Sequence, residues 1–147
     1  PIGLNFLAGL LNHAKASTVF TTPTINGYKR YKENSLAPNQ IVWGKDNKGA
    51  MLRVVSSGNN DPGTRIENRV GEPAANPYLY MLSQVLSGMD GIDKRSNPPE
   101  HTDDPYASGT EPLPRNLLEA IQELDQSGLY RRQIGDQFVD YITHIKI

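Results

Sequence analysis

A short segment of alternating side chains, followed by a turn and a long apolar run, constrains the fold of this chain more than any other feature. Successive side chains of a β-strand point to opposite faces, so the alternation over residues 64–70 predicts a strand. The chain then turns at residues 71–73 and enters a run that predicts a helix over residues 74–92. One face of the predicted strand carries Ile66, Asn68 and Val70, and the other carries Arg65, Glu67 and Arg69.

The charged face of this strand has two interpretations. A half-buried strand usually turns a polar face to water, where cross-strand ion pairs contribute little to stability. Alternatively, the face is a site, because Glu67 is a suitable ligand for a hard cation and Arg65 and Arg69 suit phosphate or carboxylate groups. The alternation alone leaves both interpretations open.

Composition excludes several classes of protein. The chain has 147 residues, enough for one domain with a core, and its formal net charge of −1 gives no reason to expect nucleic acid or an anionic membrane as partner. No apolar run approaches the roughly 20 residues of a transmembrane helix. The absence of cysteine excludes disulfides and thiolate metal sites in this chain and favours a cytoplasmic location.

The remaining pattern predicts an α+β fold in which antiparallel strands pack with helices. Two strands are predicted on either side of a hairpin-like turn at residues 47–49. The connection over residues 93–114 is poor in apolar residues and predicts an extended surface segment. The predicted strands are 40–46 and 50–55, and the further helices are 2–17, 115–126, a short one capped by Ser127 that runs to Ile134, and a last one from Asp136 to Lys146.

Several motifs resemble the glutamine synthetase family. R-I-E-N-R at residues 65–69, A-N-P-Y-L at 75–79 and G-M-D-G-I at 88–92 resemble its catalytic region, as does G-L-L-N-H-A at 9–14. The resemblance covers nearly the whole chain and implies that residues 1–147 are the C-terminal part of a glutamine synthetase-type catalytic domain. It also implies ligation of glutamate to ammonia or a primary amine through γ-glutamyl phosphate, with ATP and Mg²⁺ or Mn²⁺, in a cytoplasmic homo-oligomer.

The resemblance implies a role for six charged residues. Without it, Arg30 would be part of an ordinary basic surface loop and Arg53 a side chain that extends from a strand to solvent. With it, Arg30 and Arg53 are expected to be catalytic. The implied contacts are Glu67 with the metal ion, Lys48, Arg53 and Arg65 with the nucleotide phosphates, and Arg30 and Arg69 with glutamate and the migrating phosphoryl group.

The chain departs from the family pattern at two positions, Leu36 and Lys48. Many ammonia-using members carry an acid in the loop where this chain has Leu36, and leucine can neither accept a proton nor attract ammonium. Glu33 lies three residues upstream and could replace that acid only in a loop of different shape. Leu36 therefore favours a larger, less polar amine as the acceptor. Lys48 stands where the family commonly has arginine, and it keeps the charge without the bidentate fork.

One carboxylate does not make a metal site, because Mg²⁺ takes octahedral oxygen coordination. The chain begins at Pro1 without methionine. In the family that this chain resembles, the other metal ligands lie in the part before Pro1. The resemblance therefore implies the C-terminal portion of a longer enzyme, and we expect the chain to have no ligase activity alone. A non-catalytic structural or assembly protein of the same fold is the alternative, as is a true glutamine synthetase with a shifted acceptor acid.

Two features of the long connection are assigned no role. His101, Asp103 and Asp104 are interpreted as a solvated acidic loop, not as a metal site. Tyr106 falls near the position of a tyrosine that some bacterial members modify, but its surroundings differ, so we predict no modification.

Overall fold

The computed structural model describes residues 2–33, 35–58 and 60–146 as six α-helices, a 3₁₀ helix and three strands. Pro1 and Ile147 lie outside the described residues, as do Asn34 and Asn59, which belong to two of the predicted loops. The predicted α+β class is confirmed. In chain order the elements are α1 Ile2–Asn12, α2 Ala14–Thr21, the 3₁₀ helix Ile25–Arg30, β1 Trp43–Lys45, β2 Leu52–Val55, β3 Arg65–Asn68, α3 Pro77–Asp93, α4 Leu117–Asp125, α5 Gly128–Ile134 and α6 Asp136–Lys146.

The three strands form one mixed sheet in the order β1-β2-β3. Strands β2 and β3 are antiparallel, but β1 and β2 are parallel, so the predicted hairpin is wrong. The parallel register pairs Trp43 with Leu52, so residues 46–51 return the chain from the end of β1 to its start instead of making a tight hairpin. This connection begins at Asp46, whose backbone takes the left-handed conformation with φ 50°. The outer edge of β1 is instead covered by the long connection, where Thr102 N donates to Trp43 O at 2.9 Å.

The predicted first helix is two helices. His13 interrupts it with ψ 13°, and the second helix continues to Thr21, four residues beyond the predicted end. Helix α3 begins at Pro77, not at residue 74, because the Asn76 side chain caps it by accepting from Tyr78 N and Leu79 N. The predicted cap at Ser127 is confirmed, since its hydroxyl accepts from Tyr130 N.

The spacing of apolar residues also predicts an apolar face for α3, and this prediction is largely wrong. The predicted members are Tyr78, Leu79, Leu82, Val85, Leu86 and Met89. The helix buries its small residues, Ser83, Ser87, Gly88 and Gly91. Leu79 and Leu86 do pack against the core. The other predicted members of that face, Tyr78, Leu82, Val85 and Met89, are exposed.

Two buried clusters hold the helices and the sheet. The first lies among α2, α4, α5 and α6, with Tyr130 and Leu124 fully buried at its centre. The second packs α1 against the sheet through Leu7, Trp43 and Leu52. Trp43 is also tied to the long connection, because its Nε1 donates to Pro99 O at 2.8 Å. The sheet that carries the charged face is therefore supported by α1 on one side of the core and by the connection at its edge.

Helices α1 and α3 approach each other through glycine. A Cβ added at Gly9 would collide with the Ser87 carbonyl oxygen and lie 2.8 Å from Gly91 N. Gly3 lies on the same helix and has nothing within 4 Å of such a Cβ. The close packing of α1 against α3 therefore requires glycine at position 9 but not at position 3.

We expect Gly9→Ala to destabilise the protein by roughly 1–3 kcal/mol, because the added methyl group forces the two helix backbones apart. Gly3→Ala is the matched control, and it should be neutral or stabilising by up to about 1 kcal/mol through helix propensity. Urea unfolding of both variants measures the difference. Equal stabilities for the two variants would show that the α1–α3 contact is looser than described.

Candidate functional site

The antiparallel register of β2 and β3 builds a charged cluster, which we call the arginine cluster and define as Arg53, Arg65, Glu67 and Arg69. Arg53 lies directly opposite Glu67 across the two strands. Arg65 and Arg69 lie two residues to either side of Glu67, so a strand sends all three side chains to one face. The alternation predicted from the sequence therefore brings these four side chains together.

Both oxygens of Glu67 accept from guanidinium groups. Arg53 Nη1 donates to Oε2 at 3.1 Å, and Arg65 donates to Oε1 from Nε at 3.1 Å and from Nη2 at 2.9 Å. Arg69 Nη1 lies 3.7 Å from Oε2. The side chain of Arg53 is 16% exposed and that of Arg65 is 54% exposed, so the cluster runs from a partly buried end to an open one.

These contacts lower the pKa of Glu67. The hydrogen bond from Arg53 is the largest cause, and the hydrogen bond from Arg65 adds to it, while partial burial acts in the opposite direction. The carboxylate is therefore ionised well into the acidic range. Three guanidiniums against one carboxylate give the cluster a net positive charge, which suits phosphate or carboxylate.

Arg69 also connects two loops. Its Nε donates to Lys48 O at 2.7 Å, in the turn between β1 and β2, and its Nη2 donates to Leu36 O at 3.3 Å. Leu36 is 60% exposed and has φ 58°. The next carbonyl, of Ala37, accepts from Tyr106 Oη at 3.1 Å. The loop that carries Leu36 is therefore held beside the arginine cluster.

The other two predicted site residues lie outside the cluster. Arg30 Nη1 donates to Gly71 O at 2.6 Å, which fixes Arg30 at the turn after β3, two residues from Arg69 along that strand's continuation. Lys48 is exposed, and among the described residues no hydrogen bond or ion pair joins its side chain to the cluster. The structure thus places Lys48 at the cluster through its backbone.

The sequence pattern did not identify two residues that belong to this region. Asp46 forms an ion pair with Arg53. Glu72 accepts from Thr24 N at 2.8 Å and from Thr24 Oγ1 at 2.9 Å, and so holds the start of the 3₁₀ helix that carries Arg30. Asp46 stands beside Asn47, a pair typical of turns, but nothing in the sequence pattern indicates the distant contact of Glu72.

The described residues do not by themselves fit a divalent metal ion. Within residues 2–33, 35–58 and 60–146, no three His, Asp or Glu side chains lie together in an arrangement that could hold one. Glu67 is a hard oxygen donor, but guanidiniums engage both of its oxygens. Its carboxylate could be one ligand of a metal site and not the whole of it.

Two cavities lie away from the cluster's charged face. One, of about 720 Å³, is lined by residues of α1 and α2, of the long connection and of the junction between α4 and α5. An apolar groove of about 440 Å³ on the opposite side of β3 includes Leu4, Val54 and Ile66, and only Arg65 of the cluster touches its rim. None of the helices described is both long and apolar enough to cross a membrane.

We expect Arg53→Gln to raise the pKa of Glu67 toward its ordinary value of 4.5, because the largest cause of the lowering is removed. A carboxyl with a lowered native pKa stabilises the fold fully above its ordinary pKa and loses that contribution as the pH falls through the native value. In the variant, the stabilisation of the fold by ionised Glu67 should therefore be smaller and should be lost at a higher pH than in the wild type. Carboxyl ¹³C NMR titration measures the pKa, and Arg131→Gln, a remote arginine in a separate ion-pair group, should leave it unchanged.

Comparisons with known proteins identify the family of the chain. The sequence matches the family described as glutamine synthetase, catalytic domain, over residues 1–147. It is 48% identical over 147 residues to the gamma-glutamylanilide synthase of Acinetobacter sp, covering 99% of this chain and 29% of that protein. It is 35% identical over 152 residues to the glutamine synthetase of Pyrococcus furiosus, covering 97% of this chain and 34% of that protein.

Solved structures give the same result. The structure described as GmaS/ADP complex-Conformation 1 superposes with a TM-score of 0.84 at 30% identity, over 99% of this chain and 35% of that one. The structure described as Apo GmaS without ligand also superposes with a TM-score of 0.84, at 32% identity. The chain thus spans about a third of the length of the proteins it matches. The match over residues 1–147, the identity to these relatives and the superposed structures show that the chain belongs to the glutamine synthetase catalytic-domain family.

Proposed function

We propose that this chain is part of an ATP-dependent ligase that joins glutamate to an amine through γ-glutamyl phosphate. The observation that carries the proposal is the arginine cluster, which gathers three guanidiniums on one strand face. In such a reaction the γ-carboxylate of glutamate takes the terminal phosphoryl group of ATP, and an amine then displaces phosphate from the acyl phosphate. Two anions must meet, so the first need is positive charge where they meet.

We assign the basic residues to two groups of anions. Arg53, Arg65 and Lys48 face the nucleotide phosphates, and the direct pairing of the two arginines with one carboxylate supports a shared location. Arg30 and Arg69 hold glutamate and the migrating phosphoryl group, which is supported by their attachment to the same strand end. Arg30 and Arg53 act catalytically in this scheme, because charge on the phosphoryl group in transfer needs arginine.

Glu67 supplies one carboxylate ligand to a Mg²⁺ or Mn²⁺ ion in this proposal. The divalent ion supplies charge neutralisation of the phosphates when bound. Its remaining ligands come from outside the described residues, which hold no further cluster of acids or histidines fit for the purpose. We therefore propose that residues 1–147 act as one portion of a larger catalytic domain, in a cytoplasmic homo-oligomer, and have no ligase activity alone.

An organic amine is the acceptor that Leu36 favours. The loop that carries it is fixed beside Arg69 by the hydrogen bond to the Leu36 carbonyl oxygen, so its apolar side chain stands near the proposed glutamate site. An apolar residue there gives a hydrophobic amine a contact and gives ammonium none. The relative at 48% identity is a gamma-glutamylanilide synthase, which supports an aromatic amine such as aniline.

A non-catalytic member of the family is the second candidate function, and Leu36 and Lys48 are the residues that favour it. Retention of Arg30, Arg53, Glu67 and Arg69 favours an enzyme, since a structural protein has no need for this set. A glutamine synthetase that uses ammonia is the remaining enzyme alternative.

We expect the full-length protein to form γ-glutamyl amides from organic amines faster than it forms glutamine from ammonia. The measurement is product formation with ATP, glutamate, Mg²⁺ and a panel that contains ammonia, alkylamines and aniline. Arg53→Gln should lower the rate about a hundredfold, because a charge-assisted contact in the transition state is lost. Arg131→Gln is the matched control.

Each outcome of this panel selects one function. Turnover with ammonia alone would support glutamine synthesis, and no turnover with any amine would support the structural alternative. Ligase activity in the 147-residue chain alone would contradict the proposal that the site is completed by other parts of the protein.

We expect Leu36→Glu to shift the full-length enzyme toward ammonia, because a carboxylate attracts ammonium and accepts its proton, while the apolar contact for an organic amine is lost. The ratio of kcat/KM for ammonia to kcat/KM for aniline should rise by about tenfold or more. Leu118→Glu places the same charge on an exposed leucine of α4 and should leave the ratio unchanged. An unchanged ratio in Leu36→Glu would separate this residue from acceptor selection.

A further inference from the structure

Asp46 holds the guanidinium of Arg53 from the side opposite Glu67. Arg53 donates from Nε to Asp46 Oδ1 at 2.8 Å, and its Nη2 donates to the same oxygen. The remaining nitrogen, Nη1, donates to Glu67 at 3.1 Å. All three nitrogens of Arg53 are therefore engaged, and the plane of the guanidinium is fixed by two carboxylates.

The backbone delivers this carboxylate to its place. Asp46 follows β1 with a left-handed φ of 50°, a conformation that aspartate and asparagine adopt more readily than most residues. Its N–H donates to Val54 O at 2.9 Å, the residue next to Arg53 on β2. The turn that replaces the predicted hairpin thus places the Asp46 side chain against Arg53.

Neither stability nor anion affinity explains a carboxylate at this position. Asp46 is 71% exposed, and ion pairs with an exposed partner contribute little to stability. A negative charge beside a phosphate-binding arginine also opposes the binding of phosphate. What the contact does supply is orientation, because an arginine side chain has many rotamers and this pair selects one.

We propose that Asp46 is a positioning residue that orients Arg53 for phosphoryl transfer. This inference rests on the proposed function of Arg53 and goes beyond it, because it assigns the orientation of that arginine to the turn between β1 and β2. Arg53 then presents one fixed face to the phosphate, and the cost of ordering its side chain is met before the substrate binds.

The test compares Asp46→Gly with Asp46→Asn in the full-length protein. Both residues accept a left-handed backbone, so neither variant strains the turn. Asp46→Gly should lower kcat about tenfold without raising KM for ATP, and Asp46→Asn should recover part of the loss, because its amide oxygen still accepts from Arg53. Asp103→Asn, an exposed acid of the long connection, removes the same charge and should leave kcat unchanged.

A double variant shows whether Asp46 affects kcat through Arg53. If Asp46 acts through Arg53, Asp46→Gly should cause no further loss of kcat in an Arg53→Gln background. A lower KM for ATP with unchanged kcat would show that Asp46 acts only by its charge, and additive losses would show that it acts elsewhere. Either result would overturn the inference.

Failure of the proposed function has a different signature. If the wild-type protein forms no product with any amine, the ligase proposal fails, and the positioning role that rests on it fails with it. If the wild-type protein forms product and Asp46→Gly keeps the full kcat, only the positioning role is overturned.

Discussion

The cross-strand pair of Arg53 and Glu67 is the interaction on which the charged face depends. Arg65 and Arg69 stand on the same strand face, and a like-charge pair with no acid between them would repel. Glu67 lies between them, and its negative charge offsets the positive charges of both arginines. Arg53 contacts the same carboxylate from the neighbouring strand β2. One carboxylate thus allows three guanidiniums to share a small area, which gives the face a positive charge without driving its members apart.

The surrounding fold keeps that face in register. The long connection covers the outer edge of β1 through Thr102, and α1 packs on the sheet through Leu7. Arg69 attaches two separate loops to the strand, because it donates hydrogen bonds to the carbonyl oxygens of Lys48 and Leu36. A change in the conformation of either loop therefore alters the contacts of the Arg69 side chain on the charged strand.

Local pattern was sufficient for the strand and its charges, since alternation along residues 64–70 depends only on the backbone geometry of a strand. It failed where long-range contacts decide. The buried face of α3 is made of Ser87 and Gly91 because α1 approaches too closely for larger side chains, and a pattern of apolar residues does not report this. Likewise, β2 runs parallel to β1 because residues 46–51 return the chain to the start of β1, and the hydrogen bonds of Glu72 with Thr24 join residues far apart in sequence.

In the proposed function, the exposure of the arginine cluster affects how it would bind anions. An incoming polyphosphate must compete with Glu67 for the guanidiniums, and the competition is easiest where the ion pair is most solvated. Arg65 is the most exposed of the three, whereas Arg53 is mostly covered and held on both sides. In the proposed function, Arg65 would exchange its carboxylate for a phosphate more readily than Arg53, which would keep its orientation. Such a face would combine an exposed contact that follows a substrate with a fixed one that sets the geometry of transfer.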